Sequence, residues 1–358
     1  MTGRTTLAKF IADEDRRAAG AAADLGALVL DLATALKEIS ALLLRGELAD
    51  ALGDAATRHS QGERQKKLDD LANQILLGAC ERGGTLAGIA SEEMEQPYPI
   101  PGAYDRGRYL LVFDPLDGSS NLDVNIGVGT IFSVLRRPEA PDGIAVGDFL
   151  QPGSRQLCAG YALYGHSTML VLTLGRGVHG FTLDPAINEF VLTHPELRIP
   201  EETCEFAVNA SNERFWEPPV LRYVEECLAG QAGPREVDFN MRWVASLVAE
   251  VHRILVRGGL FMYPRDSKDA AGQRGQLRML YQAAPMAMIV EKAGGFASTG
   301  RAPLLQVVPR ALHERVPVIL GSRREVERLV RYHGDQDNGL GRPYTDPLFN
   351  VRSLLREP

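Results

Sequence analysis

The chain has 358 residues, 45% hydrophobic and 24% charged, which excludes a disordered or fibrous polypeptide and leaves room for two packed cores or two joined domains. Its formal net charge of -7 argues against a nucleic-acid partner, because phosphate neutralisation needs clustered Lys and Arg. The four cysteines, Cys80, Cys158, Cys204 and Cys227, have neither CxxC spacing nor nearby His partners, the pattern of reduced structural thiols. The first residues, Met1 to Leu7, carry no apolar h-region, and no run approaches the roughly 18 apolar residues of a membrane span. A cytoplasmic protein with no membrane partner is expected.

Leu25, Leu28, Val29, Leu32, Leu36, Ile39 and Leu43 recur at steps of three and four and predict one face of a long amphipathic helix. Residues 45–62 turn polar and read as a loop, and a second helix is predicted from near Glu63 with Leu68, Leu71, Ile75 and Leu76 inward. Residues 109–113 form a short apolar run that ends at Asp114, as a buried strand does. Residues 129–135, 158–164, 168–174 and 180–183 predict further strands between Gly and Pro turns. Beyond Pro200, residues 220–228 and 243–256 read as helices and 260–263 and 317–320 as strands. Residues 286–293 read as a helix closed by Gly294-Gly295, and the polar tail from Gly334, with Pro343 and Pro347, as an extension. Periodicity alone supports an α/β or α+β chain with several short strands.

The strongest local signal follows the predicted strand: Asp114-Pro115-Leu116-Asp117-Gly118-Ser119-Ser120-Asn121. Two carboxylates at a Pro/Gly turn can converge on one hard cation, which takes oxygen ligands, and the turn frees the Leu116 carbonyl as a third. Gly118, Ser119 and Ser120 then offer consecutive N–H groups where a helix can begin, which is an anion cradle. An isolated Asp-Pro-x-Asp-Gly is equally ordinary turn text. Glu92-Glu93 or Lys66-Lys67, each taken alone, reads as a solvated face. Together, however, Glu63, Lys66-Lys67-Leu68-Asp69 and Ser91-Glu92-Glu93 place further acids upstream, each beside an apolar stretch. Phosphate-ester hydrolysis is very slow uncatalysed, and clustered divalent ions held by such carboxylates accelerate it.

These segments, in order, resemble class I fructose-1,6-bisphosphatase: GERQKKLD (62–69), SEE (91–93), DPLDGSSN (114–121) and GVGTIFSV (127–134). The second half agrees through FAVNASNERFW (206–216), NMRWVASLVAEVHRIL (240–255), GGLFMYP (258–264) and GQLRMLYQAAPMAMIVEKAGG (275–295). The Asp-Pro-x-Asp-Gly element alone would indicate only the lithium-sensitive phosphatase superfamily, which includes inositol monophosphatases. The resemblance implies an α/β fold, a two-domain layered α-β-α-β-α sandwich with mixed sheets. It divides the chain into 1–197 with the metal-binding acids and phosphate turn, 198–333 with the sugar and distal-phosphate site, and 334–358 as an extension.

The implied activity is hydrolysis of the 1-phosphate of fructose 1,6-bisphosphate, in gluconeogenesis or the Calvin cycle, with roughly two to three Mg²⁺ (or Mn²⁺) ions per site. By resemblance, Asp114, Asp117 and Gln282 surround one ion, Glu92, Asp114 and the Leu116 carbonyl a second, and Glu63 with Glu92 a third. Asp69 and Glu93 orient and deprotonate the attacking water, with Glu63 among the catalytic acids. Asp117 and the N–H groups of Gly118, Ser119 and Ser120, with Arg278, hold the scissile phosphate. Asn209, Asn212, Tyr263 and Arg242 grip the distal phosphate, with Trp243 and Leu247 lining that pocket. Arg242 reaches in from a neighbouring subunit of a homotetramer. Sedoheptulose 1,7-bisphosphate as substrate and a weakened sugar-phosphate-binding paralogue stay open as alternatives. An inositol-monophosphatase-like activity is opposed by Arg242 and Tyr263.

Two positions depart from the family pattern. Gln282 stands where a metal-binding carboxylate is usual, so an amide carbonyl would have to ligate, more weakly. Gln276 stands where a substrate-contacting Lys is usual, with Arg274 as a candidate replacement. Ala21-Ala22-Ala23 lacks the polar groups of AMP-sensitive members, although Arg108-Tyr109 is kept, so weak or absent AMP inhibition is expected. No cysteine-bearing insertion separates Arg137 from Cys158, so no thiol switch is expected, and His252 reads as a core group.

Overall fold

The structure, a computed structural model, describes residues 4–17, 23–46, 54–58, 64–139, 143–268 and 275–341. Glu63, Arg274, the segment 59–62 and the tail beyond 341 lie outside them. Helices α1 (Leu7–Arg17), α2 (Ala23–Arg45) and α3 (Lys67–Cys80) cover one face of an eight-stranded sheet. The strand order is Glu189–His194, His179–Asp184, Thr168–Thr173, Cys158–Tyr164, Val128–Arg136, Tyr109–Asp117, Leu86–Ser91 and Tyr98–Pro99. Only Leu86–Ser91 and Tyr109–Asp117 pair in parallel, so the sheet is mixed. A short α4 (Val146–Phe149) places Phe149 against Leu110 and Val112.

In the second half come α5 (Pro218–Leu228), α6 (Leu247–Arg257), α7 (Ala284–Lys292) and α8 (Arg323–Asp337). They accompany a five-stranded sheet ordered Asn240–Met241, Glu205–Ala207, Leu260–Tyr263, Val318–Gly321 and Phe296–Ser298. Between the two sheets lie α6 and α7, where Val248, Val251, Met286 and Ile289 join Ile131 and Tyr161 of one sheet to Phe261 and Val318 of the other. Every residue of 284–290 is buried, as a helix clamped between two sheets requires. On the far face α5 and α8 seal Phe206, Tyr223, Met262, Val326 and Leu329. The architecture is the layered α-β-α-β-α sandwich with mixed sheets.

Most expected elements are present, with differences that have local causes. Leu25, Leu28, Val29, Leu32, Leu36 and Ile39 of α2 are buried, and Leu43 packs at the margin. The helix expected from Glu63 begins at Lys67, because Arg64–Lys66 pairs antiparallel with Asp54–Arg58, a strand inside the stretch read as loop. Its inward row is Leu68, Ala72, Leu76 and Cys80, at steps of four, which turns Leu71 outward. The helix expected from residue 243 starts at Leu247, since Ala245 is left-handed (φ 59°) and Ser246 caps the turn, its Oγ accepting from the Ala249 N–H at 3.4 Å. Helix α8 runs through Gly334 to Asp337, past the expected start of the extension.

His252 is a largely buried core group, its Nδ1 2.9 Å from the Tyr161 hydroxyl, and burial depresses its pKa. All four thiols are free, with Cys204 exposed. Among the described residues, no helix is long and apolar enough to cross a membrane.

Candidate active site

Residues three apart on a regular strand face opposite ways. Asp114 and Asp117 do not, because the strand carries an extra residue there: Asp114 pairs with Ile131 and Asp117 with Gly129, three steps against two. That bulge shifts the alternation by one and brings both carboxylates to one face. Pro115, with no N–H to give the ladder, sits inside the irregularity, and Thr130 Oγ1 donates to its carbonyl at 2.8 Å. The strand thus runs on to Asp117, past the end at Asp114 that the sequence suggested.

Each carboxylate is then tied to a different part of the chain. The Leu116 N–H donates to Asp114 Oδ1 at 3.1 Å, and Gln282 Nε2 donates to Asp114 Oδ2 at 2.9 Å. Asp117 Oδ2 accepts from Ser246 Oγ at 3.1 Å and from the Val248 N–H at 3.0 Å, at the N-terminus of α6. Gly118 follows with φ 78°, and a Cβ there would meet Ser246 Cβ at 3.0 Å, so the turn needs glycine. Ser119–Val124 then forms a short 3₁₀ helix. Asn121 Nδ2 reaches the Val244 and Ala245 carbonyls, each at 3.3 Å, which locks the Gly118 turn to the segment carrying Arg242 and Trp243.

Glu92 and Glu93 leave the end of the neighbouring parallel strand, where the Glu92 N–H donates to the Phe113 carbonyl at 3.1 Å. The Glu93 N–H donates to Ser91 Oγ, which donates to Asn73 Oδ1 of α3 at 2.6 Å. This brings Glu93 up to Asp69 in the first turn of α3. Arg278, buried, gives its Nε to Glu92 Oε1 at 2.9 Å.

Burial, then Asp69, Glu92 and Asp70 in turn, push the Glu93 carboxyl up to about 9 against the pull of Arg278. Burial and the repulsion of Glu92 and Asp117 raise Asp114 well above its ordinary range. Asp117 is pushed up to about 6 by burial, opposed by the Val248 and Ser246 donors. Among the described residues, no trio of His, Cys, Asp and Glu side chains stands in ready ligand geometry. The chemistry of the set is nevertheless that of a hard-cation site: buried carboxylates crowd together and raise one another's pKa, with Arg278 the cation bonded to Glu92.

Gln282 meets the acidic cluster with its amide nitrogen. Its Oε1 accepts from the Arg278 N–H at 2.9 Å, while Nε2 faces Glu92 Oε2 at 3.1 Å and Asp114 Oδ2. The carbonyl expected to ligate therefore points away from the carboxylates. Gln276 likewise turns to its own chain, its Oε1 accepting from Arg315 Nη1 at 3.3 Å.

Asn209, Asn212 and Tyr263 do come together, in a cleft also lined by Trp216, Val208 and Asp266. Trp243 stacks on Phe261 and lies 6.1 Å from the Tyr263 ring, beside this cleft. Leu247 is buried in the core between the sheets, so it packs the helix rather than the cleft wall. Arg242 is half-exposed beside Glu205, at 3.6 Å, and does not line the cleft in its own chain. Two cations were missed from the sequence. Lys268 Nζ lies 3.4 Å from Asn212 Oδ1, and Arg315 acts electrostatically on Tyr263. Neither sits in a motif that singles it out.

Residues 5–195 match the family model for the fructose-1-6-bisphosphatase N-terminal domain, and residues 199–334 that for the C-terminal domain. A relative from Methylacidiphilum infernorum (isolate V4), named fructose-1,6-bisphosphatase class 1, is 57% identical over 355 residues, 99% of each chain. One of the same name from Hydrogenophilus thermoluteolus is 58% identical over 353 residues, 98% of this chain and 97% of its own. The crystal structure of Leishmania major fructose-1,6-bisphosphatase in holo form is similar at TM-score 0.85 and 38% identity, covering 93% of this chain and 99% of that one. A bulged acidic strand, a glycine turn and a layered sandwich matched along almost their whole length leave one family, and the chain belongs to it: class 1 fructose-1,6-bisphosphatase.

Proposed function

We propose that this chain hydrolyses the 1-phosphate of D-fructose 1,6-bisphosphate to fructose 6-phosphate and inorganic phosphate, with Mg²⁺ or Mn²⁺ as activator. The observation that carries the reading is the bulge that sets Asp114 and Asp117 on one face, beside Glu92 and ahead of the Gly118 turn. Divalent ions, when bound, acidify water, neutralise phosphoryl oxygens and stabilise the leaving alkoxide. Glu92, Asp114, the Leu116 carbonyl and Asp117 hold them, with Glu63 as a further ligand from outside the described residues.

Asp69 and Glu93 orient the attacking water, and the ionised form of either carboxyl accepts its proton, Glu93 doing so once nearby positive charge has brought its raised pKa down. The N–H groups of Gly118, Ser119 and Ser120, with Arg278, hold the phosphate being cleaved. The distal phosphate lies in the cleft of Asn209, Asn212 and Tyr263, completed by Arg242 from a neighbouring subunit of a homotetramer. The exposure of Arg242 and its absence from the lining of its own chain's cleft support that arrangement. Residues 1–197 act as the acid-bearing domain and 198–333 as the distal-phosphate domain. The enzyme serves gluconeogenesis or the Calvin cycle in the cytoplasm. AMP inhibits it weakly or not at all, a reading supported by the lack of polar side chains at Ala21-Ala22-Ala23.

The test is phosphate release from fructose 1,6-bisphosphate, sedoheptulose 1,7-bisphosphate and inositol monophosphate, each titrated with Mg²⁺ and Mn²⁺. Fructose 1,6-bisphosphate should have the highest kcat/KM. No metal-dependent release from it, or a preference for another substrate, would overturn the assignment.

A further inference from the structure

Gln282 lies in a five-residue π-helix, Met279–Ala283, a rare form that tends to occur where a side chain must be set for function. The winding carries its side chain back to Arg278, whose N–H donates to Gln282 Oε1 at 2.9 Å. Its Nε2 bears two hydrogens and meets two acceptors, Glu92 Oε2 at 3.1 Å and Asp114 Oδ2 at 2.9 Å. The orientation of this amide follows from its partners. Reversing it would set an N–H group against the Arg278 N–H and the carbonyl against two carboxylates, losing all three bonds. The other oxygen of Glu92 takes Arg278 Nε at 2.9 Å, so Arg278, Gln282 and Glu92 close a hydrogen-bonded ring with Asp114 attached to it.

We propose that Gln282 is a positioning residue and not a metal ligand: its amide spans Glu92 and Asp114, sets their spacing before any ion arrives, and fills the place that a cation between them would take. The donor pair gives the facing oxygen of each carboxylate a hydrogen-bond partner without adding a positive charge. A site with a carboxylate at residue 282 would have no such bridge and would gain an oxygen ligand, so this chain binds one cation fewer than its Gln282→Glu variant. The inference rests on the reading of the acidic cluster as a cation site.

The experiment counts Mn²⁺ bound per chain, by electron paramagnetic resonance of the free ion during titration, in the full chain and in its Gln282→Glu and Gln282→Met variants. Thermal melts in chelator accompany it. Gln282→Glu should bind one more Mn²⁺ than the wild type. In chelator it should melt several degrees lower, because a third acid replaces the donor between two others. Gln282→Met, similar in size but with no donor, should bind as many ions as the wild type and also melt lower in chelator, a loss that a residue acting only as a ligand would not cause. If Gln282→Glu is too unstable to fold without metal, its count after folding in Mn²⁺ still decides. Equal non-zero counts in wild type and Gln282→Glu overturn the assignment of Gln282 alone. So does an ion lost from Gln282→Met. No bound Mn²⁺ in any of the three overturns the cation-site reading and this inference with it.

Discussion

Asp117 caps a helix that begins more than a hundred residues later: its Oδ2 accepts from the Val248 N–H at 3.0 Å. One carboxylate thus serves both the acidic face of the first sheet and the α6 N-terminus, and its replacement should affect two measurements. Asp117→Asn should cut kcat at least about 100-fold, through loss of a charge beside the reacting phosphate. It should also change stability through two opposed effects, about 0.5–1 kcal/mol lost with the charged helix cap and a gain from no longer burying a carboxylate held up at about 6, so in chelator at pH 7 the melting temperature should not fall. Asp114→Asn, whose Oδ2 faces Gln282 instead, should lose nearly all turnover without the cap effect. Steady-state kinetics and thermal melts check both, and turnover within a few-fold of wild type would sink the proposed site.

The Gly118 turn predicts a steeper response than its serines. Gly118→Ala meets both a left-handed backbone, φ 78°, and Ser246 Cβ at 3.0 Å. The backbone alone should cost roughly 1–2 kcal/mol. Moving the turn should lower kcat about tenfold or more, given how sharply catalysis depends on placement. Ser119→Ala keeps its N–H and should stay within a few-fold of wild type. Kinetics in which the serine variant is the more damaged would show that hydroxyls, not backbone donors, hold the phosphate.

Glu93 predicts a pH dependence of the metal-free protein. Its ordinary value of 4.5 is pushed up to about 9, first by burial and then by Asp69 and Glu92. Between those values the folded chain holds a proton that the unfolded chain has released. The stability this group contributes is therefore full below about pH 4.5 and is lost as pH rises through about 9. Glu93→Gln removes the dependence, so in chelator at pH 8 its melting temperature should exceed that of wild type by roughly 2–6 °C. Identical slopes of melting temperature against pH in the two proteins would refute the burial of this carboxyl beside Asp69.

Arg242 predicts a subunit effect. Arg242→Ala should raise KM for the bisphosphate with kcat little changed, by about 1.5–3 kcal/mol of lost charge-assisted bonding. Mixing it with Asp114→Asn should restore part of the activity, because the intact acids of an Arg242→Ala subunit can draw an intact Arg242 from an Asp114→Asn neighbour, the reciprocal site staying dead. No recovery after verified subunit exchange would place Arg242 within its own chain's site.

How much of this was legible in the sequence depended on how far each cause reaches along the chain. Helix α2 was readable because its apolar stripe repeats over many turns. The Leu86–Ser91 strand escaped notice because Ala, Gly and Ser carry little apolar signal, although all six residues are buried. Helix α1 went unread because it buries only Leu7, Phe10 and Ile11.

The acids showed the same division. By itself the sequence determined their types and order, Asp69, Glu92, Glu93, Asp114 and Asp117, and with them the family, because those are properties of short segments. It also determined that residue 282 is a glutamine, but not which way its amide faces. Only the tertiary structure decided that Asp114 and Asp117 share a face, since the bulge exists only against the Val128–Arg136 strand. It alone set Asp117 on the α6 N-terminus, Lys268 and Arg315 near the distal cleft, and the Gln282 amide nitrogen toward Glu92 and Asp114. The physical reason is common to all of these. Each is fixed by a hydrogen bond or charge from a distant segment, and no local periodicity records where such a partner will stand.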